Sequence, residues 1–418
     1  MIYYARFQKV EKSKVLKATM MKFIERLDYI RKLCDLRGTP DIKIITGIRR
    51  AGKSKLLEAY RKRLSSEDGV NIISIDLSDL SHEGLKEYHA LNDYVLAHTV
   101  SGCENILMID EVQECSGFEL AVNSLHNSGK YDIYLTGSNA FLLSSDLATL
   151  FTGRQIEIPV YPFSFSEYRL YHDDEKDVEK ALDRYLTEGG LSGSYVYRTE
   201  NDRLNYIREV FETILTRDLV QKFKLNEPMV LRRLAEYLMD NIANLTSAHK
   251  TSVQLAQNKV TTSHVTAANY IDHLTRAYLF YPAKRYDVRG KKYLATNEKY
   301  YLSDLGFRYA VLGRRNMDYG RAVENLVFLE LRRRGYDVYV GKVMDLEIDF
   351  IAMRGSEKLY IQVAENITES ETLNRELKPF GKVRDGYPRL LIARTRHSEV
   401  DKEGVRVINL ADWLSKDE

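Results

Sequence analysis

Eight residues constrain this chain more than any other stretch. They are Gly47-Ile48-Arg49-Arg50-Ala51-Gly52-Lys53-Ser54, set between the apolar run IKIIT and the helically spaced SKLLEAYRKRL. The pattern is GxxxxGK[ST]. Its glycines let the backbone curl so that several N–H groups point inward, and the helix that follows adds its positive N-terminal end. Such a turn is built to cradle phosphate. Lys53 then reaches the β- and γ-phosphates, and the Ser54 hydroxyl is placed to bind Mg²⁺. A plain glycine-rich turn with a surface lysine would match the same letters. A strand before it and a helix after it speak against that reading.

Three further apolar runs have strand length: VNIISIDL at 70–77, NILMID at 105–110 and DIYLTG at 132–137. Helical patterns separate them, which predicts a parallel sheet covered on both faces and an α/β fold. RQIEIPVYPFS at 154–164 adds a strand ended by Pro162. The run ILMID ends in two acids. Asp110 is the candidate to hold Mg²⁺ through water, and Glu111 the candidate to activate an attacking water. An N-cap or surface acid is the plainer reading of Glu111. After the next strand, Ser138 or Asn139 can orient that water, although both residue types also cap helices. Arg154, or Arg49 and Arg50 within the loop, can offset charge on a terminal phosphate, the first from its own chain or from a neighbour.

Composition narrows the remainder. At 418 residues the chain exceeds one ordinary core, and two to four domains are expected. Lys plus Arg total 62 against 60 for Asp plus Glu, so any basic surface must be local. Cys34, Cys103 and Cys115 form no disulfide framework and lack metal-ligand spacing, which fits a reducing cytoplasm. No run approaches the ~18 apolar residues of a membrane span, and the N-terminus does not read as a secretory signal.

The stretch from GIRRAGKS through LMIDEVQ to LTGSNAFLLSSDLATLFTGRQIEIPVYPFSFSEY resembles bacterial and archaeal AAA-type P-loop ATPases that carry a C-terminal domain of unknown function. The matching positions are Arg50, Lys53, Ser54, Asp110, Glu111, Gln113, Ser138, Asn139, Gly153, Arg154 and Pro162-Phe163-Ser164-Phe165. Later pieces (YLTEGGL, TILTRDLV, YLSDLGFRYA and GRAVENLVFLELRRRG) extend the likeness over about residues 20–418. The resemblance implies ATP as the nucleotide and its Mg²⁺-dependent hydrolysis. It implies contact from Gly47, Arg50, Ala51, Gly52, Lys53, Ser54 and Lys55, with metal at Ser54 and Asp110 and catalysis by Glu111, Asn139 and Arg154.

The resemblance also implies a winged helix and then a domain similar to the PD-(D/E)xK nuclease fold. Residues Ser252–Lys259 and Ser263–Arg276 read as two helices, with Asn269 and Arg276 as candidates to face bases. A hairpin of LFYPAKRY and KYYLS follows, carrying Lys284, Arg285, Arg289, Lys291 and Lys292. Duplex DNA contact or a role as lid or protein contact are both open to such a module. The nuclease pattern needs a helix Glu, a strand Asp, then Glu or Gln and Lys two residues apart. Glu324, Asp349 and Gln362 fit, but Ala364 stands where lysine belongs, and Lys358 or Lys342 would have to replace it. An inactive recognition domain is expected.

The expected organisation is an AAA-like ATP-binding domain at 1–170, a helical lid or linker at 171–245, a winged helix at 246–313 and a nuclease-like domain at 314–418. The function expected is an ATP-hydrolysing molecular switch. An ATP-regulated DNA-binding protein and an ATP-dependent nuclease are the alternatives. A protein client or a homo-oligomer is the further partner class, with no membrane.

Overall fold

The computed structural model describes residues 22–137, 151, 153–313 and 318–416, the side chains of Ala295 and Thr296 aside. Its first half opens with helix α1 (Leu27–Asp35), β1 (Ile42–Thr46), α2 (Lys53–Leu64), β2 (Val70–Asp76), α3 (Tyr88–Ala97), β3 (Glu104–Asp110), α4 (Phe118–Asn127), β4 (Tyr131–Thr136) and β5 (Gln155–Pro159). The strands pair in the order β2-β3-β4-β1-β5, all parallel. Each residue of β1 is buried, as a central strand covered on both faces requires. Tyr29, Ile30, Leu33, Leu56 and Tyr60 cover one face. Leu91, Val95, Phe118, Val122 and Leu125 cover the other. Within the first layer lies a buried ion pair, Lys43 Nζ to Asp132 Oδ1 at 2.5 Å, beside the Tyr60–Tyr134 hydroxyl pair.

A helical region follows: α5 (Phe165–Tyr171), α6 (Val178–Glu188), α7 (Glu200–Thr213) and α8 (Pro228–Asp240). Ser164 and Glu167 form a capping box that starts α5. Between α7 and α8 the chain continues as a π-helical segment, Ile214–Gln221. The sequence pattern reads simply as helix there. Wide π turns are rare and gather at functional sites.

The last part holds β6 (Leu245–Thr246), α9 (Ala248–Gln257), α10 (His264–Arg276), β7 (Phe280–Asp287), β8 (Lys292–Leu302), α11 (Leu305–Leu312), α12 (Tyr319–Arg333), β9 (Asp337–Val343), β10 (Leu346–Arg354), β11 (Glu357–Asn366), α13 (Ser370–Leu377), β12 (Arg389–Arg394), β13 (Glu399–Lys402), β14 (Val405–Asn409) and α14 (Leu410–Ser415). The nine strands make one sheet in the order β13-β14-β12-β11-β10-β9-β7-β8-β6. Because β7 pairs with β9, the sheet crosses position 313, where two separate domains are expected to meet. The second hairpin strand begins at Lys292, several residues before KYYLS. No helix among the described residues is long and apolar enough to cross a membrane.

Candidate nucleotide site

The glycine-rich loop leaves the carboxyl end of β1, where ligands gather on open parallel sheets. Gly47 has φ of +133°, and a Cβ there would fall 2.0 Å from the Val160 carbonyl oxygen. Gly52 has φ of +96° and hands the chain into α2. Only glycine meets both demands at Gly47, close approach and a left-handed backbone. Arg26 braces the loop from below. Its guanidinium donates to the Ala51 carbonyl at 3.0 Å and the Tyr161 carbonyl at 2.9 Å, and pairs twice with Glu167. The first-half helices, the loop and α5 are tied together through that one buried side chain.

Lys53 is buried, and its ammonium donates to the Gly47 and Ile48 carbonyls at 2.7 and 3.2 Å. Burial lowers its pKa to about 8, with Arg49 adding to the effect and Glu111 and Asp110 opposing it. A cation held by neutral carbonyls in a dry site gains when an anion arrives. Ser54 hydrogen-bonds Asp110, and Thr136 at the end of β4 donates to Asp110 Oδ1. Burial raises the Asp110 pKa despite those donors.

Glu111 has φ of +53° and stands at the N-cap position of a short 3₁₀ turn, yet its carboxylate caps nothing. It accepts from the Gln113 amide instead, and its own N–H donates to Thr136 Oγ1 at 3.3 Å. A non-glycine residue in the left-handed region beside a pocket is strain of the kind that functional sites hold.

These groups line a cleft of about 480 Å³. Its floor is the loop with Asp110 and Glu111. Asp76 and Ser78 enter from the end of β2, and Ser192, Gly193, Tyr206, Arg217 and Asp218 from the helical region. Sequence reasoning missed all of the latter. Asp76 could have been found, since VNIISID ends in an acid as LMID does. The helical residues carry no local pattern: the π-helical segment delivers Arg217 and Asp218, a short 3₁₀ turn Ser192 and Gly193, and α7 Tyr206. Asp218 grips Arg49 with two bonds, 2.8 and 2.6 Å, and Arg217 reaches Glu114 at 3.3 Å. Asp218 and burial are the main influences on Arg49, whose pKa is raised.

The other expected residues divide. Arg50 is exposed on the cleft rim with φ of +67°, and among the described residues it has no carboxylate partner. Lys55 turns its ammonium to Glu58 at 2.8 Å, so only its backbone faces the loop's work. Ser138 and Asn139 lie outside the described residues. For Arg154 both its own chain's pocket and a neighbour's are open from sequence. Its carbonyl accepts from Ile42 N–H at 2.8 Å, at the start of β1, so it stands at the sheet end opposite the loop. β1 alone spans about 16 Å at ~3.3 Å per residue. That places it away from its own chain's cleft. Its side chain reaches Asn127 at 2.8 Å.

Glu324 of α12 lies near Asp349 of β10, which Gln362 of β11 contacts, with an unforeseen addition. Lys299 of β8 donates to Glu324 at 2.9 Å and Glu347 at 2.8 Å. Tyr301 also donates to Glu324, at 2.7 Å. Asp349 accepts from Val363 N–H at 2.8 Å, and Gln362 bridges Asp349 N–H to Glu376. Burial, then Glu324, pushes the Asp349 carboxyl well above its usual range. Ala364 is buried in the apolar layer, and Lys358 is spent on Asp385. Among the described residues no group of three His, Cys, Asp or Glu is placed to hold a metal ion. In the helical pair before the hairpin, Asn269 is exposed and Arg276 pairs with Asp272 of its own helix.

Comparison with known proteins adds the following. A family model described as an AAA domain matches residues 39–169, and one described as a domain of unknown function matches residues 179–318. An uncharacterized protein of Haemophilus influenzae is 36% identical over 397 residues, covering 94% of this chain and 98% of that one. An uncharacterized protein of Methanocaldococcus jannaschii is 28% identical over 377 residues, covering 87% and 83%. Among solved structures, a Walker-type ATPase of Pyrococcus abyssi is similar with a TM-score of 0.42 at 17% identity, covering 69% of this chain and 95% of that one.

Proposed function

The chain belongs to a family of bacterial and archaeal proteins in which an AAA domain is followed by a domain of unknown function, and from that premise we propose that it is an ATP-hydrolysing, Mg²⁺-dependent molecular switch. The observation that carries this reading is the meeting of Lys53, Ser54, Asp110 and Glu111 on one glycine-braced cleft walled by the helical region.

Each residue then has a part. Lys53 exchanges two backbone carbonyls for the β- and γ-phosphates. Gly47, Ala51 and Gly52 present backbone to phosphate oxygens, and exposed Arg50 adds charge at the rim. The Ser54 hydroxyl and the Asp110 carboxylate, already in contact, match the small oxygen donor set that Mg²⁺ takes alongside nucleotide phosphates. When bound there, Mg²⁺ supplies neutralisation of the charge that builds on the transferred phosphoryl group. Glu111, held by Gln113, takes a proton from the attacking water. Asn139 or Ser138 is assigned to orienting that water, and Arg154 to the pocket of an adjoining copy in a homo-oligomer.

Switching follows from which walls the nucleotide touches. Arg49–Asp218 and Arg217–Glu114 join the loop and the Glu111 turn to the π-helical segment. Phosphate competing for Arg49 weakens its hold on Asp218 and so signals to the helices. We assign residues 1–170 to the ATP-binding domain, 171–245 to the lid, and 246–418, joined by the sheet that crosses position 313, to a winged-helix-like part (246–313) and a nuclease-like part (314–418) that together serve for docking. A protein client is its leading partner class, and three free cysteines fit a cytoplasmic setting.

A second reading, ATP-controlled binding of duplex DNA, is favoured by the exposed cations of the β7–β8 hairpin. An ATP-dependent nuclease is weighed down by the ion-paired acids around Lys299. The primary reading is tested by equilibrium binding of ATP with Mg²⁺. Wild type is expected to bind, and Lys53→Ala to bind at least about tenfold more weakly, the loss of one charge-assisted contact of ~1.5–3 kcal/mol. A wild-type protein that binds no nucleotide ends it.

A further inference from the structure

The hairpin end of the second sheet presents a feature that the nucleotide reading does not use. Tyr286 and Tyr293 are paired across β7 and β8. Tyr286 also stands opposite Gly341 of β9, so Tyr339, two residues earlier, shares its face of the sheet. The three rings adjoin, with centroids 5.5 Å apart for Tyr286–Tyr293, 5.2 Å for Tyr293–Tyr339 and 6.2 Å for Tyr286–Tyr339. Tyr293 is 59% exposed. A large aromatic ring left that bare beside two others is an unfilled contact surface.

Charge selects what fills it. The turn next to these rings carries Arg289, Lys291 and Lys292, all exposed. One acid, Asp287, shares that turn and accepts the Arg289 and Gly290 N–H groups through one oxygen at 3.0 and 2.9 Å, so the three cations still outnumber it. Cations flanking one exposed ring, backed by two half-buried ones, match a polyanion that has flat, unpaired groups to lay on it. Single-stranded nucleic acid has both properties, phosphates for the cations and a π-face on every base. A duplex offers the phosphates but keeps its bases stacked inside, and an acidic peptide offers charge without planar rings.

We propose that Tyr286, Tyr293 and Tyr339, with Arg289, Lys291 and Lys292, form a stacking platform for single-stranded DNA or RNA. The platform takes bases without regard to sequence, because stacking reads the ring and not its edge. It works without nucleotide at the glycine-rich loop, so its failure and that of the ATP reading are separable.

The test is fluorescence anisotropy of the full chain, in low salt and without ATP, with an oligothymidylate of about twenty nucleotides. A duplex of equal length is run beside it. Wild type is expected to bind the single strand more tightly than the duplex. Tyr293→Ala should weaken binding by roughly fivefold or more, and adding Tyr286→Ala should deepen the loss. Tyr293→Phe should bind as wild type, since it keeps the ring. Lys291→Gln should flatten the dependence of log affinity on log salt by roughly 0.7. No binding by wild type at low salt overturns the proposal. So does Tyr293→Ala binding undiminished, or a duplex bound as tightly as the strand. Because Tyr293 and Lys291 are exposed, circular dichroism of the Tyr293 and Lys291 single variants should match wild type, so their lost binding is not lost fold.

Discussion

Two lysines sit among acids in this molecule, and they are held in opposite ways. Lys53 donates to two backbone carbonyls, and its pKa is lowered to about 8. Lys299 donates to two carboxylates, and Glu324, Asp349 and Glu347 raise its pKa against the pull of burial. The first is a cation short of a counter-charge, in a cleft with an opening. The second is a cation whose counter-charges are already built in. Similar side chains therefore make one poised site and one closed one, and only the poised one has reason to bind an anion.

The largest effect should come from breaking the closed cluster. Lys299→Met leaves the buried Glu324 without its cation, and is expected to cost about 3–5 kcal/mol of stability. Denaturant midpoints would read it. Lys53→Met should instead leave the nucleotide-free protein as stable as wild type or more so, because it removes a charge that burial disfavours. Equal losses in the two variants would erase the distinction.

Proton linkage sharpens it next. The folded-state pKa of Lys53 lies below its ordinary value near 10.4, so the unfolded chain binds more protons between about 8 and 10.4, and the Lys53 contribution to stability rises with pH there. For Lys299 the folded value is raised. Its contribution is full below the ordinary value and is lost as pH rises through the raised one. Phosphate keeps Lys53 protonated, so nucleotide affinity should fall as pH climbs past about 8, approaching tenfold per unit. Titration of affinity between neutral and alkaline pH checks it, and a flat profile would remove Lys53 from phosphate contact.

The smallest effect belongs to the wall of the cleft. Asp218→Ala frees Arg49 for phosphate and should tighten nucleotide binding by roughly two- to fivefold, within the ~1 kcal/mol of a partly exposed ion pair. Weaker binding would instead make Asp218 a part of the nucleotide contact.

The poised site was legible because its parts are local. Strand, glycine loop and helix are contiguous, and LMIDE is a strand with its acids attached. Thr136 and Asp76 come from neighbouring strand ends, and the acid closing VNIISID gave a usable signal for Asp76. Arg26, Arg217 and Asp218 gave none, because helix packing and a π-helical turn bring them in. Arg154 looked like a pocket arginine until the pairing of β5 with β1 set it at the far end of the sheet. The closed cluster was half legible. Glu324, Asp349 and Gln362 follow a spacing, whereas Lys299 arrives from β8 by sheet pairing across position 313. Sequence spacing carries no information about which strand will lie beside which.

The account rests on hydrolysis at the poised site, and the most direct measurement is ATP turnover with Mg²⁺ by wild type and by Glu111→Gln, alongside their ATP affinities. The account predicts turnover by wild type, unchanged affinity in the variant, and hydrolysis lower by ~10²-fold or more, as loss of a general base requires. Hydrolysis by Glu111→Gln at the wild-type rate, or no turnover by wild type, would contradict it.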